Sequence, residues 1–359
     1  MVDQLLNWGA VHYDSLVSAL EPAIAAALDP HLVFPPARRD AIVRALAAAF
    51  PGGELTQATA LTGGLSRGGI YKLAVSGTDY VMRLDAPREG FRDPARQYAC
   101  LNIASNAGVA PHVHFADADE RIAITDFIPQ TSWKVPQDRY LESVAKAVRS
   151  LHAAPLFPRV MPYFHVMEIL IGMLKAANIL PEDAIADHLR LYRELVAAYP
   201  KDAELVSSHN DLNPNNVLFA GEQPFFVDWE TAFAADRYVD LATLGTFATD
   251  DAGEEIVLRS YFGEALDDTK RARFALMLQV MRLFYGIALL NIAAQPQSGT
   301  RLTLDMFRDA PSFRAIRSEM NLLTTLPGQI RFGCAFFGDA LRGMQSPRCQ
   351  EAIVLLKKL

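Results

Sequence analysis

The stretch His209-Asn210-Asp211-Leu212-Asn213-Pro214-Asn215-Asn216 is the most informative part of this 359-residue chain. Apolar Val217-Leu218-Phe219 follows it, and a second apolar segment ends in Val227-Asp228-Trp229-Glu230. Asn, Asp and Pro are common turn residues, so an ordinary loop would account for part of this stretch. It would not readily supply the histidine, the last asparagine, a short strand and a second acidic residue in this order. The order therefore indicates a site that performs chemistry.

The residue types in these two segments suit phosphoryl transfer. Asp211 can accept the proton of an attacking hydroxyl group, which is the task of a general base. Asn216 and Asp228 offer oxygen ligands to Mg²⁺, a cation that prefers oxygen and bridges phosphate groups. We expect Glu230 to assist a second metal ion, directly or through water. The pattern predicts an ATP-dependent kinase with ATP and Mg²⁺ as its cofactors.

The same segments resemble the catalytic core of the aminoglycoside phosphotransferase and choline kinase superfamily. Asp228-Trp229-Glu230 is more similar to the Asp-aromatic-Glu of choline/ethanolamine kinases than to the Asp-Phe-Gly of protein kinases. Asp240-Leu241-Ala242 is similar to the Asp-Leu-Ala that follows this core, and the short spacing leaves no room for an activation loop. The resemblance implies an α+β, bilobal protein-kinase-like fold, with a small antiparallel-sheet N-lobe and a larger, mostly helical C-lobe.

A glycine-rich turn upstream is predicted to cover the phosphates of ATP. Residues 55–61 are expected to form a strand, 62–69 the turn and 70–75 the return strand. Glycines let backbone N–H groups approach phosphate oxygens without a Cβ in the way. We therefore expect Gly63, Gly64 and Ser66 to bind ATP.

The third strand, 80–84, carries the predicted phosphate-binding cation, Arg83. An arginine can clamp phosphate with two hydrogen bonds and does not lose its proton. The alternative is an edge-strand arginine that faces water. The resemblance implies a glutamate partner on the next helix, which should begin at the Asp93-Pro94 cap. Gln97 stands at that position, so we expect Gln97 near Arg83 and keep Asp93 as a second candidate partner.

Adenine is expected to bind where the two lobes connect. The alternation in 113–117 and 121–128 predicts a hairpin, because the turn residues 117–120 separate its two halves. The exit of this hairpin matches the lobe connection of the superfamily, where adenine hydrogen-bonds to the backbone. We therefore assign Thr125 and Phe127 to the nucleotide site.

Composition excludes several other classes of protein. A hydrophobic content of 51% with 21% charged residues is that of a globular chain, long enough for two domains. The net charge of −7 disfavours nucleic-acid binding and mildly favours a cationic substrate. No apolar run reaches the roughly 18 residues of a spanning helix, so no membrane insertion is expected. Three scattered cysteines indicate a reducing compartment, so we expect a cytoplasmic protein.

The order of these features predicts three regions. Residues 1–54 are rich in Ala and Leu and are expected to form a helical N-terminal extension, with residues 41–50 as an amphipathic piece. Residues 55–127 should form the β-rich N-lobe that binds ATP. Residues 128–359 should form the C-lobe, with the catalytic loop and the acceptor pocket.

The acceptor is harder to infer. The acidic balance and the resemblance together favour a small molecule with a hydroxyl and an amine, such as an amino alcohol. Choline kinases carry two Trp on a late helix that hold quaternary ammonium by cation–π attraction, and Tyr285 and Ala288 stand at those positions here. The acidic residues within 250–255 could attract an amine or could form a solvated helix cap. Choline, ethanolamine, another amino alcohol, an aminoglycoside or a sugar all stay open, as does a nucleotide-binding pseudokinase without turnover.

Overall fold

The computed structural model of the protein describes residues 30–61, 69–129, 136–181, 183–201, 204–248, 250–294, 299 and 301–358. The predicted phosphate-binding residues Gly63, Gly64 and Ser66 lie outside the described residues. So do residues 1–29 of the predicted extension.

The N-lobe is built on one antiparallel sheet of five strands in the order β1-β2-β3-β5-β4. Its strands are β1 (Leu55–Leu61), β2 (Gly69–Val75), β3 (Thr78–Leu84), β4 (Val113–Asp117) and β5 (Ile122–Asp126). The predicted strands and the predicted hairpin are therefore confirmed. Strand β3 lies between β2 and β5, where Arg83 pairs with Ile70 and Ala123. Arg83 is thus on an interior strand, and the alternative of an edge-strand arginine is wrong.

A small core holds a helix against this sheet. Alternate residues of β2, such as Tyr71 and Leu73, point to one side and are buried, as a period of two requires. Helix α1 (Arg39–Ala49) presents Ile42 to the same core, and Phe34 packs beside it. The part of the predicted extension that the structure describes therefore packs into the N-lobe.

Helix α2 (Pro94–Asn106) follows the sheet strand β3 and starts as predicted. The Asp93 side chain accepts hydrogen bonds from the backbone N–H groups of Ala95 and Arg96, and Pro94 occupies the first helical position. Gly108 ends this region with φ of +73°, a conformation that glycine adopts without strain.

The C-lobe is mostly helical, as predicted. Its helices are α3 (Gln137–His152), α4 (Tyr163–Ala176), α5 (Ala186–Ala198), α6 (Tyr238–Phe247), α7 (Asp251–Phe262), α8 (Asp268–Ala293), α9 (Leu304–Arg308), α10 (Phe313–Ile316), α11 (Leu326–Gln345) and α12 (Pro347–Leu356). Past its charged first turns helix α8 is mostly apolar, and it packs against α4, α6, α11 and α12. By length and composition α8 could span a membrane, but 89% of its most apolar 18-residue window is buried within the fold. Burial of this kind is typical of the core helix of a globular protein.

Two small antiparallel sheets position the predicted catalytic loop. Strand β6 (Leu205–Ser208) pairs with β9 (Phe233–Asp236), and β7 (Val217–Ala220) pairs with β8 (Gln223–Phe226). Residues 209–213 connect β6 to a short 3-10 turn, Pro214–Asn216, that leads into β7. Asp228 comes two residues after β8, so the hairpin returns the chain to the loop.

Candidate active site

The catalytic loop is anchored by one buried carboxylate on α6. Asp240 accepts hydrogen bonds from the backbone N–H groups of His209 (2.9 Å) and Asn210 (2.8 Å). His152 donates a third from Nε2, at 3.0 Å. Burial disfavours ionisation of Asp240, but these hydrogen bonds and the neighbouring histidines outweigh it and lower its pKa. The Asp-Leu-Ala segment therefore fixes the start of the loop by charge-assisted hydrogen bonds.

Asn210 turns the chain toward the site. Its φ of +66° lies in the left-handed region, which Asn tolerates better than most residues. Its side-chain amide donates hydrogen bonds to the carbonyl groups of Ser208, Thr231 and Phe233. These bonds offset the backbone strain and connect the loop to β9.

Asp211 is a buried carboxylate with three side-chain donors around it. Oδ1 accepts hydrogen bonds from Tyr285 Oη (2.9 Å) and Asn213 Nδ2 (3.1 Å). Asn216 Nδ2 lies 3.4 Å from Oδ2 and 2.9 Å from the Asp211 backbone oxygen. Burial raises the pKa of Asp211 to about 7, although the Asn213 and Tyr285 hydrogen bonds oppose the rise and the Asp228 charge adds to it. A carboxylate with a pKa near neutrality is suited to accept a proton.

His209 connects the catalytic loop to the predicted metal ligand. Its Nε2 donates a hydrogen bond to the carbonyl group of Val227 at 2.9 Å, immediately before Asp228. Burial lowers the pKa of His209, so the neutral ring is favoured. The backbone of Val227 also donates to the carbonyl group of Asn216 at 3.0 Å. These bonds bring Asp228 and Asn216 to the same side of the loop.

Arg83 reaches across from the N-lobe to the predicted metal ligands. Its Nη1 donates to Asp228 Oδ1 at 3.0 Å, and its Nη2 forms an ion pair with Glu230. Asp228 has φ of +67°, which turns its side chain out of the line of β8. Burial disfavours the charged form of Arg83, but the Asp85 and Asp228 charges outweigh it and raise its pKa. The three predicted residues are therefore brought together at the cleft between the lobes.

The acidic partner of Arg83 inside the N-lobe is Asp85, which the sequence pattern did not reveal. Arg83 Nε donates to Asp85 Oδ1 at 2.7 Å. Gln97 donates to the other oxygen of Asp85 at 3.4 Å, and Tyr98 donates to it at 2.5 Å. Gln97 thus acts on Arg83 through Asp85. The second candidate partner, Asp93, caps helix α2 and pairs with Arg88 instead.

A further interlobe contact was also absent from the sequence-based prediction. Arg96 donates from Nη2 to the carbonyl groups of Glu230 (2.6 Å) and Phe91 (2.9 Å), and its guanidinium lies over the Phe91 ring. The bond to Glu230 fixes the backbone beside the carboxylate that is predicted to bind metal. Only the placement of α2 against residues 229–231 makes this contact visible.

The donor set at the cleft fits Mg²⁺ and a nucleotide. Asp228 and Glu230 bind a single guanidinium, so their carboxylates converge on one small region. Two carboxylates and the Asn216 amide agree with the way Mg²⁺ binds through few protein oxygens together with phosphates. The described residues contain no group of three or more His, Cys, Asp or Glu that could hold a metal ion by itself. Arg83 is a cation of the type that binds phosphates in proteins, as predicted for this position.

The predicted adenine-binding residues lie at the exit of the sheet. Thr125 lies in β5 and pairs with Val81 of β3, and Phe127 directly follows β5. Lys72 Nζ lies 4.3 Å from the centre of the Phe127 ring. This position, between the sheet and the C-lobe, is compatible with the predicted adenine contact.

The acidic cluster at 250–255 is neutralised by other residues of the protein. Asp250 caps α7, where it accepts from the backbone N–H of Gly253 at 2.9 Å. Glu254 is only 1% exposed, so the idea that the whole cluster is solvated is wrong for this residue. Its carboxylate accepts from Arg282, Arg314 and Arg348. Within this cluster Glu255 also binds two arginines, Arg259 and Arg271.

Tyr285 contacts Asp211, a contact that the sequence did not reveal. The resemblance placed Tyr285 and Ala288 at the cage positions of choline kinases, and both are fully buried in α8. The Tyr285 hydroxyl instead donates to Asp211. Burial and the Asp211 charge raise the pKa of Tyr285 well above its usual value, so it stays a hydrogen-bond donor.

A cavity of about 260 Å³ lies beside the catalytic loop. Leu212 and Pro214 contribute from the loop, and Leu244 and Phe247 contribute from α6. Its polar lining includes Arg317, whose Nη1 donates to Gln137 at 3.3 Å. Leu212, which lines this cavity, directly follows Asp211 in the chain.

Known proteins resemble this chain over most of the two lobes. The model of the phosphotransferase enzyme family matches residues 57–275. Protein LicA of Haemophilus influenzae is 25% identical over 197 residues, which are 51% of this chain and 56% of LicA. This chain therefore spans little more than half of that relative.

Solved structures share the fold at low sequence identity. A choline/ethanolamine kinase family protein from Mesorhizobium loti is 20% identical, with a TM-score of 0.58 over 89% of this chain and 99% of the other. The streptomycin–ATP–APH(2")-IIa ternary complex is 15% identical, with a TM-score of 0.53 over 72% of this chain and 90% of the other. At this identity the likeness concerns the fold, and it confirms the predicted bilobal kinase-like architecture.

Proposed function

Because this chain belongs to the phosphotransferase enzyme family, we propose that it transfers the γ-phosphate of ATP to a hydroxyl group of a small amino alcohol. The observation that carries the proposal is the buried Asp211, whose pKa is raised to about 7 by burial and by the charge of Asp228, the residue that binds Arg83 of the N-lobe. A base, a phosphate-binding cation and metal-binding acids thus converge from both lobes. Positioning and charge neutralisation dominate phosphoryl transfer, and these residues supply both.

Each residue has a defined task in this mechanism. Asp211 accepts the proton of the acceptor hydroxyl as its oxygen attacks the γ-phosphorus. Arg83 binds phosphate oxygens and is oriented for this by Asp85. Asp228, Asn216 and Glu230 would hold Mg²⁺, which neutralises phosphate charge when it is bound. Asp240 and His209 keep the loop in the conformation that presents Asp211.

The amino alcohol is supported by relatives and by net charge. The Mesorhizobium loti structure is described as a choline/ethanolamine kinase family protein, and the chain carries a net charge of −7. The apolar wall formed by Leu244 and Phe247 suits the carbon skeleton of a small acceptor. The cytoplasm, where ATP is abundant and free thiols persist, is the compartment that fits three buried free cysteines.

One observation favours a second class of acceptor. Arg317 lines the cavity beside the catalytic loop and would repel an ammonium group placed there. A hydroxylated acceptor with a carboxylate or phosphate would instead be attracted to Arg317 and Gln137. The chemistry at Asp211 is the same for both classes.

A phosphorylation screen tests the proposal. The full chain is incubated with ATP and Mg²⁺ and with amino alcohols, aminoglycosides, sugars and hydroxy acids, and acceptor-dependent ADP release is measured. Acceptor-dependent turnover that is lost in Asp211→Asn supports the phosphotransferase. ATP binding without turnover on any acceptor would leave a nucleotide-binding protein and contradict the proposal. The best acceptor in the panel separates the amine from the anionic class.

A further inference from the structure

The two carboxylate oxygens of Asp211 have different surroundings. Oδ1 accepts two hydrogen bonds, from Tyr285 at 2.9 Å and from Asn213 at 3.1 Å. Among the described residues, the contact at Oδ2 is the 3.4 Å approach of Asn216 Nδ2, which is long for a hydrogen bond. An oxygen with two good donors has little remaining capacity to accept a proton, whereas Oδ2 retains this capacity.

The donor to Oδ1 is held rigidly. Tyr285 is 0% exposed and lies in α8, a helix most of whose residues are buried. Its ring packs edge-on against Phe247 at 5.1 Å and lies 5.7 Å from Phe336. Packed aromatic rings have few alternative rotamers, so the hydroxyl group is fixed in one place.

We infer that Tyr285 is a positioning residue for the general base: its hydroxyl fixes Oδ1 of Asp211 and leaves Oδ2 to receive the proton of the acceptor. The inference rests on the proposed phosphotransferase function and extends it to the individual atoms. The O–H bond of the acceptor breaks and the proton goes to Oδ2. The oxygen electron pair forms the new bond to the γ-phosphorus as the bond from that phosphorus to the β–γ bridging oxygen breaks and ADP leaves. The charged or ionisable groups that lie near Asp211 are Asp228, Asp240 and the phenols of Tyr163 and Tyr285.

The position of Tyr285 on α8 therefore has a role different from that of a tryptophan in an aromatic cage. An indole at this position would offer its face to an ammonium group, whereas the phenol of Tyr285 offers a proton donor to the base. Residues 211 and 285 are 74 positions apart, and they meet because α8 packs against α6 beneath the catalytic loop.

The matched test compares two buried tyrosines. Tyr285→Phe retains the ring and removes the donor, and Tyr163→Phe is the control. The Tyr163 hydroxyl is buried nearby and has no hydrogen-bond partner among the described residues. We expect Tyr285→Phe to lower kcat by about tenfold, the scale of one hydrogen bond to a charged group, with KM values for ATP and acceptor within about twofold. Tyr163→Phe should change kcat by less than about twofold.

A double-mutant cycle distinguishes positioning from packing. If Tyr285 acts through Asp211, Tyr285→Phe should lower kcat by less than about twofold when Asp211→Asn is already present. An equal loss in both backgrounds would show a role independent of Asp211 and overturn the inference. So would an unchanged kcat in Tyr285→Phe, or an equal loss in Tyr163→Phe. Failure of the proposed function would appear differently, as absence of acceptor-dependent turnover in the unsubstituted protein.

Discussion

Asp85 accepts a 2.7 Å hydrogen bond from Nε of Arg83, the residue two positions before it in the chain. The same guanidinium extends to Asp228 in the C-lobe at 3.0 Å. Arg83 is therefore oriented by the residue that directly follows its own strand, β3. Gln97, on the next helix, donates a hydrogen bond to Asp85. The negative charge that balances Arg83 within the N-lobe comes from Asp85.

Asp85→Asn should weaken ATP binding. The substitution keeps the shape of the side chain but removes the charge that orients Arg83, so the KM for ATP should rise roughly tenfold or more. The KM for the acceptor should change by less than about twofold. Gln97→Ala is the control, and it should raise the KM for ATP less because its contact with Asp85 is longer, at 3.4 Å. An equal effect of the two substitutions would contradict the assignment of Asp85.

Substitution of Asp211 and substitution of Asp228 should impair different steps of the reaction. Asp211→Asn removes the proton acceptor, so turnover should fall by about 10²-fold or more while ATP affinity is retained. Asp228→Asn removes a metal-binding carboxylate, so Mg²⁺-dependent ATP binding should weaken together with turnover. Steady-state kinetics and calorimetric titration with ATP at several Mg²⁺ concentrations measure both effects. Near-normal turnover in Asp211→Asn would disprove the catalytic assignment.

Ionisation of the buried Asp211 carboxyl should lower the free energy of unfolding as pH rises. Burial raises its pKa to about 7 from 3.8, so the folded protein keeps a proton that the unfolded chain has already released. The free energy of unfolding therefore falls between roughly pH 4 and pH 7. Asp211→Asn lacks this ionisation and should be more stable than the parent at pH 8, on the order of 2–4 kcal/mol.

Urea unfolding at pH 4.5, 6 and 8 in the presence of EDTA measures this difference. The gain in the free energy of unfolding of Asp211→Asn should shrink toward zero at the lowest pH. Residue 211 is then neutral in the folded state of both the parent protein and the variant. The exposed Asp305, which pairs with Arg308 on the surface, provides the control substitution Asp305→Asn. A gain that is independent of pH would show that the ionisation of Asp211 is not its source.

Arg317→Gln distinguishes the two classes of acceptor. If the acceptor carries an amine, removal of a like charge from the cavity should lower the acceptor KM by roughly two- to fivefold. If the acceptor carries an anionic group, the same change should raise that KM. The KM for ATP should stay within about twofold in either case. Arg308→Gln, at an exposed surface pair, controls for the change in net charge.

The sequence by itself determined the architecture of the protein and supplied the candidate catalytic groups, whose roles stay predictions. Asp211, Asn216 and Asp228 lie within 18 residues of one another along the chain, so their spacing is a local property. The N-lobe strands and the start of helix α2 were also predictable, because alternation, glycine turns and the Asp93 cap act over a few residues. The phosphate-binding roles of Gly63, Gly64 and Ser66 stay predictions.

The tertiary structure alone decided which groups control these residues. Asp240 anchors the loop from 30 positions away, and Tyr285 reaches Asp211 from 74 positions away. Such contacts depend on how helices pack around the loop, and neither helical periodicity nor motif spacing encodes the distance between two elements. Asp85 shows the same limit at short range, since its role follows from the direction in which the Arg83 side chain leaves β3. Local sequence order therefore predicted which side chains form the candidate site. Their orientation depends on contacts with distant residues, which only the packed fold brings together.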